Sequence, residues 1–204
     1  MSSDQLLRLA GLAALAAGIL SAIGDVMSLV VDLEGVDAAA NASQGIVYGF
    51  YLVGTALLLL GLVGLYTSQS RAAGMLGFVG FLLAFVGTAL TAGAIWFEVF
   101  VTGDLAARAP DLTTAELGFA GFVLSFLLAA FGWLLFAIAT LRAGVYPRPA
   151  AMLLVAGALV SFVPLFVQVP ATGLVLSVAV AWIGFLLWRH GVPAWSRGEH
   201  VALS

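Results

Sequence analysis

The 204-residue chain contains no cysteine and no lysine, since all seven of its basic residues are arginine. Without cysteine, the chain has no thiolate ligands for an iron–sulfur cluster or a cysteine-based zinc site. Without a lysine amine, it forms neither a retinal Schiff base nor the covalent linkage to pyridoxal phosphate (PLP). The missing residue types therefore exclude these cofactors.

Histidine is also scarce, because only His190 and His200 are present and both follow the last apolar segment. An intramembrane haem or a histidine-rich di-iron site therefore has no ligands. The cofactor is otherwise left open, because a quinone, a carotenoid or a lipid binds without these residue types. The net charge of −3 and the absence of a basic run argue against a nucleic-acid partner.

Charged residues of either sign are few, at 8% of the chain against roughly a quarter in a soluble domain. Hydrophobic residues make up 63%, and the mean hydropathy is +1.18. This composition predicts an all-α, polytopic transmembrane protein with the lipid bilayer as its surroundings. The abundant alanine and the arginine-only basic composition are typical of a GC-rich prokaryote.

Six apolar stretches are long enough to predict membrane spans, which need about 20 residues each. Together they form a six-helix bundle in a single domain over residues 1–204, with spans at about 6–31, 46–66, 72–101, 114–141, 150–167 and 172–189. The fifth span contains Pro164 in its last turn, and a proline there kinks or ends a helix.

The arginines predict the orientation of this bundle. With both termini in the cytoplasm, the inner ends of the spans carry six of the seven arginines, namely Arg8, Arg71, Arg142, Arg148, Arg189 and Arg197. Only Arg108 falls in an outer loop. This positive-inside bias predicts a multi-pass protein of the inner (plasma) membrane.

Small residues follow one face of two predicted spans at steps of three and four, which lets neighbouring helices approach closely. In the third span this helix-packing face contains Gly77, Gly80, Ala84, Gly87 and Thr91, and in the first span it contains Gly18 and Ser21. The same faces continue to Glu98 and Asp25, so both acids are expected to point into the bundle.

With Glu116 counted in the outer loop before the fourth span, Asp25 and Glu98 are the only acids inside apolar segments, where a carboxylate needs a partner or water. Both lie toward the outer ends of their helices, at the level of four further polar or aromatic residues, Tyr48, Tyr51, Trp96 and Gln168. These six residues predict a ligand-binding vestibule that opens to the exterior. The alternative is an ordinary aromatic belt with acids that reach the water of the headgroup layer.

Several segments resemble a known group of proteins. The runs at 60–66, 77–90 and 132–142, together with Trp96-Phe97-Glu98 and Tyr146-Pro147-Arg148, look like a widespread group of small, six-span prokaryotic membrane proteins without an assigned activity. The run Asp-Ala-Ala-Ala-Asn-Ala at 37–42 is similar to the domain-of-unknown-function group DUF4386. The resemblance implies six helices. The group has no assigned activity or functional residues that could be transferred to this chain.

Three functions remain open. The leading interpretation is a non-catalytic accessory or structural subunit, which packs with other membrane subunits or itself or binds lipid or another hydrophobic ligand. The alternative is a small-molecule or cation binder or transporter that uses the vestibule around Asp25 and Glu98. An intramembrane enzyme is the weakest interpretation, because no nucleophile or metal-ligand set accompanies the two acids.

Overall fold

The computed structural model describes residues 2–31, 42–109, 116–165 and 169–191, and all regular secondary structure in these ranges is helical. The α-helices are α1 (Ser3–Met27), α2 (42–73), α3 (75–97), α4 (Gly103–Arg108), α5 (Glu116–Ala143), α6 (Arg148–Val160) and α7 (Leu174–His190). One turn of π-helix, Glu98–Thr102, joins α3 to α4, and a 3₁₀ turn, Val163–Leu165, follows α6. The predicted all-α class is confirmed for these residues.

Three of the described helical stretches are long and apolar enough to cross a membrane, namely Ser3–Met27, Ser43–Leu105 and Ala120–Ala143. Two apolar helices are shorter, Arg148–Val160 and Leu174–His190. By length and composition, the chain is therefore a helical membrane protein.

The longest of these stretches is folded back on itself at Gly74, where φ is 59° and ψ is −156°. Tyr66 and Phe81 flank this point, and their rings stack with centroids 4.4 Å apart. On a continuous helix these two residues would be separated by about 22 Å along the axis. The chain therefore reverses at Gly74, and α2 and α3 form an antiparallel hairpin.

Replacing Gly74 with alanine is expected to destabilise this hairpin by about 1–3 kcal/mol, because its backbone lies in a region that only glycine adopts readily. The change is measurable as a lower midpoint of thermal unfolding in detergent. Gly45→Ala is the matched control, since a methyl group at Gly45 would have no neighbour within 4 Å. Equal midpoints for the two variants would contradict the expectation.

Glycine and alanine bring the helices into backbone contact. Gly61 of α2 lies against Ala14 of α1, and Gly80 of α3 lies against the backbone of Phe136 in α5. Gly184 of α7 also packs against α1, with only 2.5 Å between an added Cβ and the Leu15 nitrogen. Close approach at small residues is the usual packing mode of membrane helices, because it maximises van der Waals contact.

The contacts close into a ring in chain order. Helix α1 packs on α2, α3 on α5, α5 on α6, α6 on α7, and α7 returns to α1. Bulky side chains from four of these helices fill the interior, including Leu62, Phe136, Leu154 and Ile183, each at most 1% exposed. Sequence-adjacent helices are therefore neighbours in space, as expected for short connections.

Two helices differ most from their predicted spans, and α1 also ends early, at Met27 instead of residue 31. Helix α2 continues to residue 73 instead of ending near Tyr66, because Ser68 and Gln69 are buried against α5 and the turn after it. Helix α6 ends at Val160, well before the predicted end at Val167, and Pro164 lies in the 3₁₀ turn that follows. Pro164 has no N–H to donate to the Val160 carbonyl, and its ring would clash with that carbonyl in an α-helix, which accounts for the early end.

Two buried hydrogen bonds join α2 to α5 and to the turn after α5. The Gln69 Nε2 donates to Thr140 Oγ1 at 2.8 Å, and the hydroxyls of Ser68 and Tyr146 lie 2.6 Å apart. Ser68 Oγ also donates to the carbonyl of Leu65, so the Tyr146 hydroxyl is the donor of the shared bond. The connection between α5 and α6 is thereby fixed to the end of α2.

Burial raises the pKa of Tyr146 to about 12. Between pH 10 and 12 the unfolded chain loses this proton while the folded chain keeps it, so stability falls as the pH rises. The loss is expected to be roughly 2–3 kcal/mol across that range. Unfolding midpoints at pH 9 and pH 12 should therefore differ less in Tyr146→Phe than in the wild type, and an equal difference would contradict the assignment.

Candidate functional site

Asp25 is the most deeply buried acid among the described residues, with 4% of its surface exposed. Its two carboxylate oxygens accept hydrogen bonds from two other helices. Tyr51 Oη of α2 donates to Oδ1 at 3.0 Å, and Ser177 Oγ of α7 donates to Oδ2 at 3.0 Å. The Asp25 carboxylate therefore connects α1, α2 and α7 at one point.

The position of Asp25 at the end of α1 is explained by the start of α7. An acid in the last turn of a helix is unfavourable, because the carboxyl end of the helix carries partial negative charge. The Asp25 carboxylate instead reaches Gly173, the residue before α7, where an added Cβ would lie 2.8 Å from Oδ1. The amino end of α7 carries partial positive charge and stabilises the carboxylate.

Glycine also lets the tyrosine approach α1. An added Cβ at Gly24 would lie 2.9 Å from the Tyr51 ring, so the ring packs directly on the α1 backbone. The hydroxyl of Ser28 donates to the Asp25 carbonyl at 2.7 Å and helps to close the last turn of α1. Asp25, Tyr51, Ser177, Ser28 and Gly173 are called the Asp25 cluster below.

Glu98 is not part of the Asp25 cluster. It is half-buried at the start of the π-helical turn, and its carboxylate is close enough to interact electrostatically with the half-buried Tyr48 hydroxyl. The hydroxyl donors of the two Asp25 oxygens are Tyr51 and Ser177, and Glu98 is not among the hydrogen-bond partners of Asp25 in the described part of the chain. The π-helical geometry shifts Glu98 relative to a regular α-helix.

The structure does not place Trp96 and Gln168, the remaining predicted vestibule residues, in the Asp25 cluster. Trp96 is 51% exposed and its ring contacts Phe100 on the outer surface, with centroids 5.5 Å apart. Gln168 lies outside the described residues. Of the six predicted residues, the structure therefore brings together Asp25 and Tyr51 by a direct hydrogen bond, and it places Glu98 beside Tyr48.

The residues predicted for helix packing lie at helix contacts or next to them. Gly18 faces the backbone of Ser177 and Ala181, and Gly87 faces the backbone of Ala129. Ala84 is fully buried against Gly132, while Gly77 is buried near Ala139 and Gly80 near Phe136. Ser21 contacts Gly54, and the half-buried Thr91 hydroxyl donates to the Gly87 carbonyl.

Sequence reasoning missed Ser177 and Gly173 as partners of Asp25. Ser177 occurs in a small-residue repeat with Ala181 and Gly184, a signal that points to helix packing but not to a carboxylate partner. Gly173 follows a proline-containing turn and has no distinctive neighbour. Asp25 lies on the first helix and Ser177 on the last. The residue pattern within either helix therefore does not predict that the two side chains meet.

The Asp25 cluster is built on one buried carboxyl group that accepts hydrogen bonds from two other helices. Two hydroxyls donate to it and the amino end of α7 faces it, which favours a buried, hydrogen-bonded acid. The hydroxyls of Tyr51 and Ser177 serve as its donors. The cluster therefore joins α1, α2 and α7 through one carboxyl group.

Comparison with protein-family models, with curated proteins and with solved structures finds no match for the chain. The resemblance to small prokaryotic membrane proteins therefore stays a prediction based on the sequence runs quoted above.

Proposed function

We propose that the chain is a non-catalytic, six-span integral membrane protein that acts as an accessory or structural subunit, packing within a membrane complex or binding lipid. The observation that carries this proposal is the hydrogen-bonded carboxylate of Asp25. Its hydrogen bonds to Tyr51 and Ser177 use both oxygens to hold three helices together. A buried acid with these hydrogen bonds stabilises the helix bundle. Contacts with other subunits or with lipid would then use the outer surface of the protein.

The topology in this proposal has both termini in the cytoplasm of the cell, at the inner membrane. Helices α1, α2, α3, α5, α6 and α7 are the six spans. The antiparallel contacts bring the exposed Arg8, Arg71, Arg142, Arg148 and Arg189 to one end of the bundle, and Arg108 lies at the other end. This distribution supports the cytoplasmic location of the arginine end through the positive-inside rule.

Native mass spectrometry of the protein, gently solubilised from its own membrane, tests the proposal. A larger assembly of fixed stoichiometry, or a retained lipid of discrete mass, is the expected result. As a control for nonspecific association, the protein is transferred to fresh detergent, reconstituted into lipid and extracted a second time. A bare monomer, with neither a partner nor a bound lipid under conditions that preserve a known membrane complex, would overturn the proposal.

The alternative function is a cation binder at the Asp25 cluster. It is favoured by the group of oxygen atoms there, because one carboxylate and the hydroxyls of Tyr51, Ser177 and Ser28 are the kind of ligand that hard cations prefer. A cation site predicts that Na⁺, K⁺ or Ca²⁺ raises the unfolding temperature of the wild type and not of Asp25→Asn. The accessory proposal predicts the same small ionic effect on both proteins.

A further inference from the structure

Gln69 has a buried side-chain oxygen to which none of the described residues donates a hydrogen bond. The side chain is 0% exposed, and its Oε1 atom has no hydrogen-bond partner in the part of the chain that the structure describes. The other end of the same amide is paired, because Nε2 donates to Thr140 Oγ1 at 2.8 Å. An unpaired carbonyl oxygen inside a protein is unfavourable, so Oε1 is expected to have a donor.

The orientation of this amide is settled by the hydroxyl beside it. Thr140 Oγ1 donates its one proton to the Phe136 carbonyl at 2.8 Å, so it can only accept a hydrogen bond from Gln69. The nitrogen of the amide therefore faces Thr140, and the oxygen points away from it. A rotated amide would place two acceptors against each other, which would leave the oxygen without a donor again.

The nearby hydroxyls on Ser68 and Tyr146 have no proton left for the Gln69 oxygen. Ser68 Oγ donates to the Leu65 carbonyl at 2.7 Å, and the Tyr146 hydroxyl donates to Ser68 Oγ at 2.6 Å. A hydroxyl group has a single proton to donate, so both groups are already committed. The donor to Gln69 Oε1 is therefore a bound molecule and not one of these side chains.

The surroundings of Gln69 select a small and uncharged donor. A carbonyl oxygen only accepts hydrogen bonds, which excludes an anion. Residues 65–75 and 136–150, which meet here, contain no aspartate or glutamate, and hard cations prefer carboxylate ligands. Leu65 and Phe136, one helical turn from Gln69 and Thr140, are each 1% exposed, so the space between α2 and α5 suits a very small molecule.

We propose that a single water molecule is bound at Gln69 Oε1, between α2 and α5, and donates a hydrogen bond to this oxygen. Internal waters of proteins bind to buried polar groups that other residues do not satisfy, and they make about three hydrogen bonds each. The Thr140 and Tyr146 oxygens each keep a lone pair that can accept the second proton of the water. This inference does not rest on the proposed accessory function.

The test is a crystal structure of the full chain, grown in a lipid mesophase, at a resolution that shows ordered water. We expect a density peak about 2.7–3.2 Å from Gln69 Oε1, with Nε2 still facing Thr140. Gln69→Met removes the oxygen and leaves the bond between Thr140 and Phe136 intact, so the peak should be lost. Thr140→Ser is the matched control, because it keeps the hydroxyl that orients the amide and should keep the peak.

Three results would overturn the proposal. The first is a wild-type map with no peak beside Gln69 Oε1, or with a protein group donating to it. The second is a peak that persists in Gln69→Met, and the third is a peak that gains anomalous signal when rubidium is added, which would identify a cation. The wild-type map alone decides the outcome if Gln69→Met does not fold.

Discussion

Gly87→Ala and Gly132→Ala are each expected to destabilise the protein by about 1–3 kcal/mol, although alanine is the better helix former. An added methyl group at Gly87 would overlap the backbone of Ala129, and one at Gly132 would overlap the backbone of Ala84. Backbone atoms in the middle of two helices cannot move aside individually, so α3 and α5 must separate along their length. The predicted change is a lower midpoint of thermal unfolding in detergent.

The same two helices supply the controls for this prediction. Gly93 on α3 and Gly121 on α5 have no neighbouring atom within 4 Å of an added Cβ. Gly93→Ala and Gly121→Ala should therefore leave stability unchanged or raise it by up to about 1 kcal/mol, because only the helix propensity changes. If all four variants unfold at the same temperature, the close contact between α3 and α5 is not present in the protein.

Asp25→Ala is expected to cost about 2–5 kcal/mol, because it removes the common acceptor of two buried hydroxyls. Tyr51 and Ser177 then lose their hydrogen bonds in a region shielded from water, and the joint between α1, α2 and α7 is broken. Asp25→Asn should be less severe, since one carbonyl oxygen remains. Asp104→Ala, an exposed acid on α4, is the control and should have little effect.

A double-mutant cycle separates the contribution of the hydrogen bonds from that of side-chain volume. Tyr51→Phe and Ser177→Ala are each expected to destabilise the wild type by about 1–3 kcal/mol and to have a much smaller effect in the Asp25→Ala background. Unfolding midpoints of the single and double variants provide the measurement. Additive losses would show that the two hydroxyls are not coupled to the carboxylate.

The sequence predicts the helical class and the small-residue faces because both depend on periodicity and composition within one segment. Gly80 and Gly87, for example, follow from their spacing alone. The end of α2 could not be predicted in the same way, since Thr67-Ser68-Gln69-Ser70 has the composition of a loop. It is helical because Thr140 and Tyr146, far along the chain, form hydrogen bonds with the side chains of Gln69 and Ser68 inside the bundle.

The candidate site shows the same limit. The spacing of small residues in the first span predicts that Asp25 points into the bundle, and the predicted spans place Tyr51 at the same height in the membrane. The contact between Asp25 and Tyr51 could therefore be predicted from the sequence. The proximity of Glu98 to Tyr48 could not, because it depends on how α3 and its π-helical continuation pack against α2. Contacts between distant segments are decided by tertiary packing, for which the sequence of one chain contains no local signal.

The shortness of α6 has a consequence for the lipids around it. Its 13 residues rise about 20 Å, against a hydrocarbon thickness of about 30 Å. In the proposed topology this hydrophobic mismatch is met by thinning of the adjacent leaflet, which costs a fraction of a kcal/mol per ångström. The bilayer is then locally deformed on one side of the protein only, which favours its accumulation in thinner membrane regions and beside other short-helix proteins.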